Sequence, residues 1–492
     1  MIRMDSAWSG VPQSPNIIAP RHNELTETPV SPSNRCCICR SSRRRPPGCP
    51  PPRRAAGGCR IPEVVLVFDC QSSASAFAGG IQRTLRETGA MTETLVKVDD
   101  LPELDLDAFR ADPTATLDAL RPHRIVRSIR GYEVISYDLA YELLADQRLR
   151  PMSAADFSSH GASPYIAEFV DKGIFLFMAP ERHREIRKIF ARAFAARRVM
   201  DHREAILDTG NSLVDRLLAR GEGDLVEDFT QRFSAEVLCR LLGFPPADIP
   251  EFVHAALDLR HLVYVPMQPH IPTIEASLDT LRAYAIELLD ERRRNPQGDF
   301  LSALIDTGET QGRLTTDEVV WGTVNLLLGG IDTTNFQLAS TLQHLITNGV
   351  WERVASDPAI REVAIEEATR LTPISTMLGR IVHESLEIDG VTLPVGADVK
   401  INLVGAGRDP AKFADPHSYR LDRVAPFFPA AFGNGVHVCI GKNLAWQELR
   451  VGTELLTTRL TDVELSAAPT MHSWTDAFYG PYDLQVTFRA RS

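Results

Sequence analysis

The chain has 492 residues, 44% hydrophobic and 24% charged, which is ordinary for a large globular protein and leaves room for one large fold or about two to four domains. No apolar run approaches the ~20 residues of a membrane-spanning helix, and the opening MIRMDSAWSG lacks the basic patch and apolar core of a secretory signal. Residues 1–90 hold twelve arginines, no lysine and six acids; the remainder holds 41 basic and 58 acidic side chains, an acidic body that argues against nucleic acid as a partner.

Cysteine is spread as unevenly as charge. Cys36, Cys37, Cys39, Cys49, Cys59 and Cys70 lie near the start, leaving only Cys239 and Cys439. The body is therefore not held by disulfides and suits a reducing cytoplasm. The segment Arg35 to Arg60, RCCICRSSRRRPPGCPPPRRAAGGCR, has no hydrophobic period and many prolines, so disorder is expected there. Its cysteine spacing fits no standard zinc pattern. Lysine first appears in MTETLVKVDD, and the functional chain is expected to start near Met91: 1–90 is an extension and 91–492 the folded domain.

From about Asp105 the pattern is dense and mostly helical. HRIVRSIRGYEVISY alternates around an Arg-Gly turn and predicts a β-hairpin. Nearly everything from Pro180 to Leu371 reads as helix, with breaks at GFPPADIP and VPMQPHIP. Within it, TTDEVVWGTVNLLLGGIDTTNFQLASTLQHLITNG opens with a capping box, Thr315 to Glu318, and predicts one helix of roughly 50 Å ending at Asn348-Gly349. LEIDGVTLPVG carries the Asp-Gly pair of a second hairpin. The expected fold is mainly α, one domain with small β-sheets at its edges.

FGNGVHVCIG, Phe432 to Gly441, sets Cys439 among glycines at 433, 435 and 441, which let a backbone turn tightly against something flat. Helical spacing follows, so Cys439 sits at a helix start, where N–H groups and the helix dipole favour a thiolate. A lone cysteine does not complete a four-ligand zinc site; it suffices for a metal held by another chelator, such as haem iron. A buried structural cysteine is the other reading of this loop.

The loop resembles the haem-binding signature of the cytochrome P-450 superfamily at Phe432, Gly435, His437, Cys439 and Gly441. The resemblance implies that Cys439 is the proximal iron ligand, with Phe432 packed on its sulfur. GGIDTT is similar to the family's distal-helix motif, in which small Gly330 opens a pocket for dioxygen and Asp332 and Thr333 form an acid–alcohol pair delivering protons to it. Glu367 and Arg370 match the structural Glu-x-x-Arg pair, completed by an arginine before the cysteine loop; Arg423 fits best, then Arg420. Ser418 stands where many members carry arginine.

Charge accounting points the same way. A thiolate cancels the net charge of an iron(III) porphyrin and leaves two propionates, each costing several kcal/mol to bury unpaired. His183 and Arg187 in APERHREIRKIF, Arg380 in STMLGRIV, and His437 supply the cations.

The resemblance covers roughly residues 105–490 and implies a triangular helical domain with edge hairpins binding heme b (iron protoporphyrin IX). The implied activity is monooxygenation: one atom of O2 enters a small hydrophobic substrate, such as a terpenoid, steroid or polyketide, by hydroxylation or epoxidation. Electrons would come from a ferredoxin and its reductase, docking near Arg187, Lys188, Arg192 and Lys442. Phe157 to Phe177, HLVYVPM, Asn325, Leu326, Ile374 to Leu378 and Phe478-Tyr479 are the expected pocket. A cytoplasmic monomer without a transmembrane anchor is expected. The rival functions are a peroxide-driven haem-thiolate enzyme, which the Asp332–Thr333 pair disfavours, and a haem-binding sensor or carrier.

Overall fold

The structure, a computed structural model, describes residues 101–263, 266–423 and 428–491. The 1–90 extension and its expected disorder lie outside the described residues, as do Tyr264 and Val265 of HLVYVPM.

The middle of the chain is helical, and its central helix is entered as expected. Thr315 Oγ1 accepts from the Glu318 N–H, and the Glu318 carboxylate accepts from the Thr315 N–H. The single helix expected from there to Asn348 is two. The first runs Thr316–Gly330, the chain bends at Ile331 (φ −85°, ψ −62°), and the second runs Asp332–Thr347. Gly329 and Gly330 each weaken a helix by about 1 kcal/mol. The Thr333 hydroxyl then donates to the Gly329 carbonyl at 2.8 Å, a local bond that competes with the regular ladder.

Helix Lys442–Arg459, which follows the cysteine loop, packs against both Asp332–Thr347 and Arg203–Leu218. Glycines admit the crossings: a Cβ on Gly452 would stand 2.6 Å from Leu338, and one on Gly210 2.3 Å from Leu455. Trp321, Phe233, Leu338 and Leu456 are wholly buried, each contributing roughly 1.5–3 kcal/mol. Among the described residues no helix is long and apolar enough to cross a membrane.

Both expected hairpins are present, turning at Ser128↔Gly131 and Ile388↔Val391; Asp389 and Gly390 take positive φ in the second turn. The first hairpin opens a five-stranded sheet in the order 125–128, 131–134, 398–402, 377–382, 149–150, and 131–134 lies parallel to 398–402. The three-residue strand Glu222–Asp224, inside the stretch read as helical, pairs with the C-terminal strand Gln485–Ala490. A pairing across some 260 residues leaves no local trace.

Candidate active site

The Cys439 N–H donates to the Phe432 carbonyl at 2.8 Å and closes the loop. Gly433 (φ 74°) and Gly435 (φ 65°) occupy the left-handed region, and a Cβ on Gly435 would lie 2.9 Å from Ala145 Cα. The Phe432 ring meets Trp446 at 5.5 Å. Gly441 caps helix Lys442–Arg459, and a Cβ on it would approach the sulfur to 4.0 Å. Cys439 keeps accessible surface although protein surrounds it on most sides. Burial raises its thiol pKa; the Gly441 and Lys442 N–H groups and the charges of Arg187 and Lys442 oppose that rise without cancelling it. Helix-start N–H groups thus favour the thiolate against desolvation, and a bound cation would favour it further.

Four basic side chains reach this region from three elements. Helix Pro180–Phe190 supplies His183 and, one turn on, Arg187; strand Met377–Val382 supplies Arg380; the loop supplies His437. His183 and Arg380 are buried, and the His183 and His437 rings lie 4.5 Å apart. Arg187 donates to the Val438 carbonyl, and Arg380 Nη1 to its neighbour Gly379 at 2.9 Å. None of the four has a carboxylate within ion-pair distance among the described residues. Burial therefore drives Arg380 down to about 10, and burial with the neighbouring cations drives His437 down to about 3. His437 Nδ1 is buried without a partner. No cluster of three or more His, Cys, Asp or Glu suited to a bare metal ion occurs among the described residues. An accessible sulfur beside two uncompensated arginines and two histidines fits a metal that brings its own chelator and its own negative charges.

On the helix break, a Cβ at Gly330 would strike Leu238 at 2.8 Å, whereas Gly329 has nothing within 4 Å. The open position is Gly329; the expected Gly330 serves packing against helix Gln231–Leu242. Asp332 is buried and neither carboxylate oxygen has a hydrogen-bond partner; Arg260 Nη1 stands 3.7 Å away. Burial raises the Asp332 pKa, and the charges of Arg260 and His472, with the neighbouring Asn335 side chain, oppose the rise. Glu448 is wholly buried; burial raises it well above its ordinary value, and the neighbouring Thr334 side chain only opposes that rise. Sequence reasoning passed over Arg260, His472 and Glu448. Glu448, nine residues past Cys439 on an apolar helix face, is the one whose position offered a signal.

The Glu-x-x-Arg pair is wholly buried. Arg370 Nε and Nη2 donate to the two Glu367 oxygens at 2.8 and 2.7 Å, and Arg423 Nε donates to Oε1 at 2.8 Å. Arg370 Nη1 also reaches the Gly407 and Pro416 carbonyls, each at 2.6 Å. The Arg420 side chain turns away to Asp415 and Asp422. Burial alone would raise the Glu367 carboxyl, but these bonds hold it below its ordinary value.

Of the expected pocket segments, Ile374 and Tyr479 are joined by an N–H···O bond of 2.9 Å, and Ser375 bridges Phe478. Phe157 and Phe177 meet at 5.0 Å. Lys188 and Arg192 are exposed, whereas Arg187 turns inward to the loop.

A family model described as Cytochrome P450 matches residues 360–470. Mycinamicin IV hydroxylase/epoxidase of Micromonospora griseorubida is 33% identical over 326 residues, covering 64% of this chain and 80% of that protein. Cytochrome P450 monooxygenase PikC of Streptomyces venezuelae is 32% identical over 389 residues, 76% and 91% of the two chains. The structure of epothilone D-bound Cytochrome P450epoK superposes with a TM-score of 0.71 at 25% identity, covering 77% of this chain and 97% of that one. With that coverage and identity, the chain belongs to the cytochrome P450 family and is a monooxygenase of its mainly helical fold.

Proposed function

We propose that this chain binds heme b through Cys439 and inserts an oxygen atom from O2 into a hydrophobic organic molecule by hydroxylation or epoxidation. The observation that carries the reading is a group of four basic side chains, two arginines and two histidines, with no carboxylate in ion-pair reach among the described residues, set beside an accessible cysteine. His183, Arg187, Arg380 and His437 would take the two propionates, and Cys439 the iron. When bound, such a haem supplies oxygen activation.

The chain's own residues do the rest. Gly433 and Gly435 shape the loop, Gly329 leaves room on the distal side, and Asp332 holds a proton in reserve where burial favours its neutral form. Thr333 stands next to it with its hydroxyl on the Gly329 carbonyl. Glu367, Arg370 and Arg423 fix the segment leading to the loop. Similarity to Mycinamicin IV hydroxylase/epoxidase supports hydroxylation or epoxidation as the reaction. Electrons would come from a ferredoxin and its reductase, attracted by exposed Lys188 and Arg192 on an otherwise acidic body. The test replaces Cys439 with serine and compares reduced, carbonyl-bound spectra. The parent is expected to show the thiolate-ligated band and Cys439→Ser to lose it; a parent without haem, or a variant with the parent's spectrum, overturns the reading.

A further inference from the structure

His472 is buried in the C-terminal loop, and neither of its ring nitrogens has a hydrogen-bond partner. Its ring is clamped, stacked on Tyr482 at 3.7 Å and edge-on to Phe336 at 4.7 Å, with its backbone N–H on the Gly480 carbonyl. Phe336 lies one turn after Asp332 on the same helix face. His472 and Asp332 thus sit close together, a charge on His472 acts on Asp332, and the Asn335 side chain is the other polar group beside that carboxyl. On its other side, His472 Nδ1 stands 3.9 Å from Asp476 Oδ2, whose side chain is 37% exposed and accepts from the Ser473 N–H. The titratable and charged groups around the ring are therefore Asp476 and Tyr482 from its own loop and Asp332 from the helix, with Arg260 beyond the carboxylate. Buried polar atoms left without protein partners are ordinarily satisfied by water, which also carries protons between them.

We propose that His472 is a positioning residue for Asp332 and the inner member of a proton inlet: from solvent to Asp476, to the His472 ring, through water to Asp332, and on to Thr333. The ring accepts a proton at one nitrogen as it gives one up from the other, so each proton delivered is replaced from solvent and the site keeps its charge. The inlet is separate from Arg260, which stands 3.7 Å from Asp332 but offers donors only and no acceptor for a proton in transit. This inference rests on the assignment of Asp332 as proton reserve.

The test uses the full haem-loaded chain with a surrogate ferredoxin and reductase, without organic substrate, and measures hydrogen peroxide released per O2 consumed across pH 5.5–8.5. Asp332→Asn is the reference. His472→Phe keeps the aromatic stack, and His472→Gln stands in for it should the phenylalanine variant fold poorly. The inlet requires haem content and melting temperature to stay near the parent's, with the peroxide share at least doubled and its pH dependence flattened. It also requires the infrared bands of the Asp332 side chain, whether carboxyl or carboxylate, identified by their loss in Asp332→Asn, to shift in the His472 variants. If Asp332→Asn leaves the peroxide share unchanged, the proton-reserve assignment fails. If Asp332→Asn raises it while the His472 variants match the parent in both readouts, the inlet alone is refuted.

Discussion

Two clusters of ionisable side chains in this molecule are built on opposite plans. Around Glu367, carboxylate oxygens meet Arg370 and Arg423, and the remaining guanidinium donors reach the Gly407, Pro416 and Ser418 carbonyls. Around Cys439, His183, Arg187, Arg380 and His437 crowd together with no carboxylate in ion-pair reach among the described residues. The first cluster is complete within the chain, as a structural device must be. The second is incomplete, and what it lacks — negative charge and a cation for sulfur — describes its ligand.

The contrast is sharpest in the response to losing one cation. Arg370→Met leaves Glu367 buried with half its partners and is expected to cost about 3–5 kcal/mol of stability in denaturant titration, with or without haem. Thr333→Ala, on the distal side, is expected to leave stability and haem content unchanged while peroxide becomes the main fate of consumed O2; unaltered peroxide release would remove Thr333 from proton handling. Arg380→Met should do the reverse of Arg370→Met in the haem-free protein, leaving stability unchanged or slightly raised because it relieves repulsion. In the loaded protein it should weaken haem retention about tenfold, or ~1.4 kcal/mol; equal destabilisation by the two arginine variants would erase the distinction between the clusters.

The smallest effect concerns pH. The His344 ring, stacked on Tyr419 and hydrogen-bonded to Thr372, is driven from 6.5 to about 4, chiefly by burial and then by Arg408. The fold favours the neutral ring, so its contribution is full above about 6.5 and is lost as pH falls toward 4. His344→Gln should flatten stability against pH in that window, and an unchanged slope would assign the acid limb elsewhere.

Much of this was legible in the chain itself, because the features involved are short in sequence. The capping box at Thr315, the Asp389-Gly390 turn and the i, i+3 spacing of Glu367 and Arg370 are local, and each is found where the pattern placed it. Arg423 could be chosen as the third partner because few arginines precede the loop. The break at Ile331 escaped because two glycines weaken a helix without dictating where it parts. The choice between Gly329 and Gly330 escaped because it depends on Leu238, some ninety residues earlier. Arg260 and His472 escaped for the same reason: they flank Asp332 from both directions along the chain, and no periodicity links them to it.

The reach of Arg370 has a further consequence. One side chain in the core holds the carbonyls of residues 407, 416 and 418, so this stretch has no route to open locally while the helix beneath it stays folded. Arg370→Met should therefore quicken local opening there, read as faster amide exchange than in the parent. On heating, the sulfur that follows should leave its place only when the whole body melts, so that bleaching and unfolding trace a single curve.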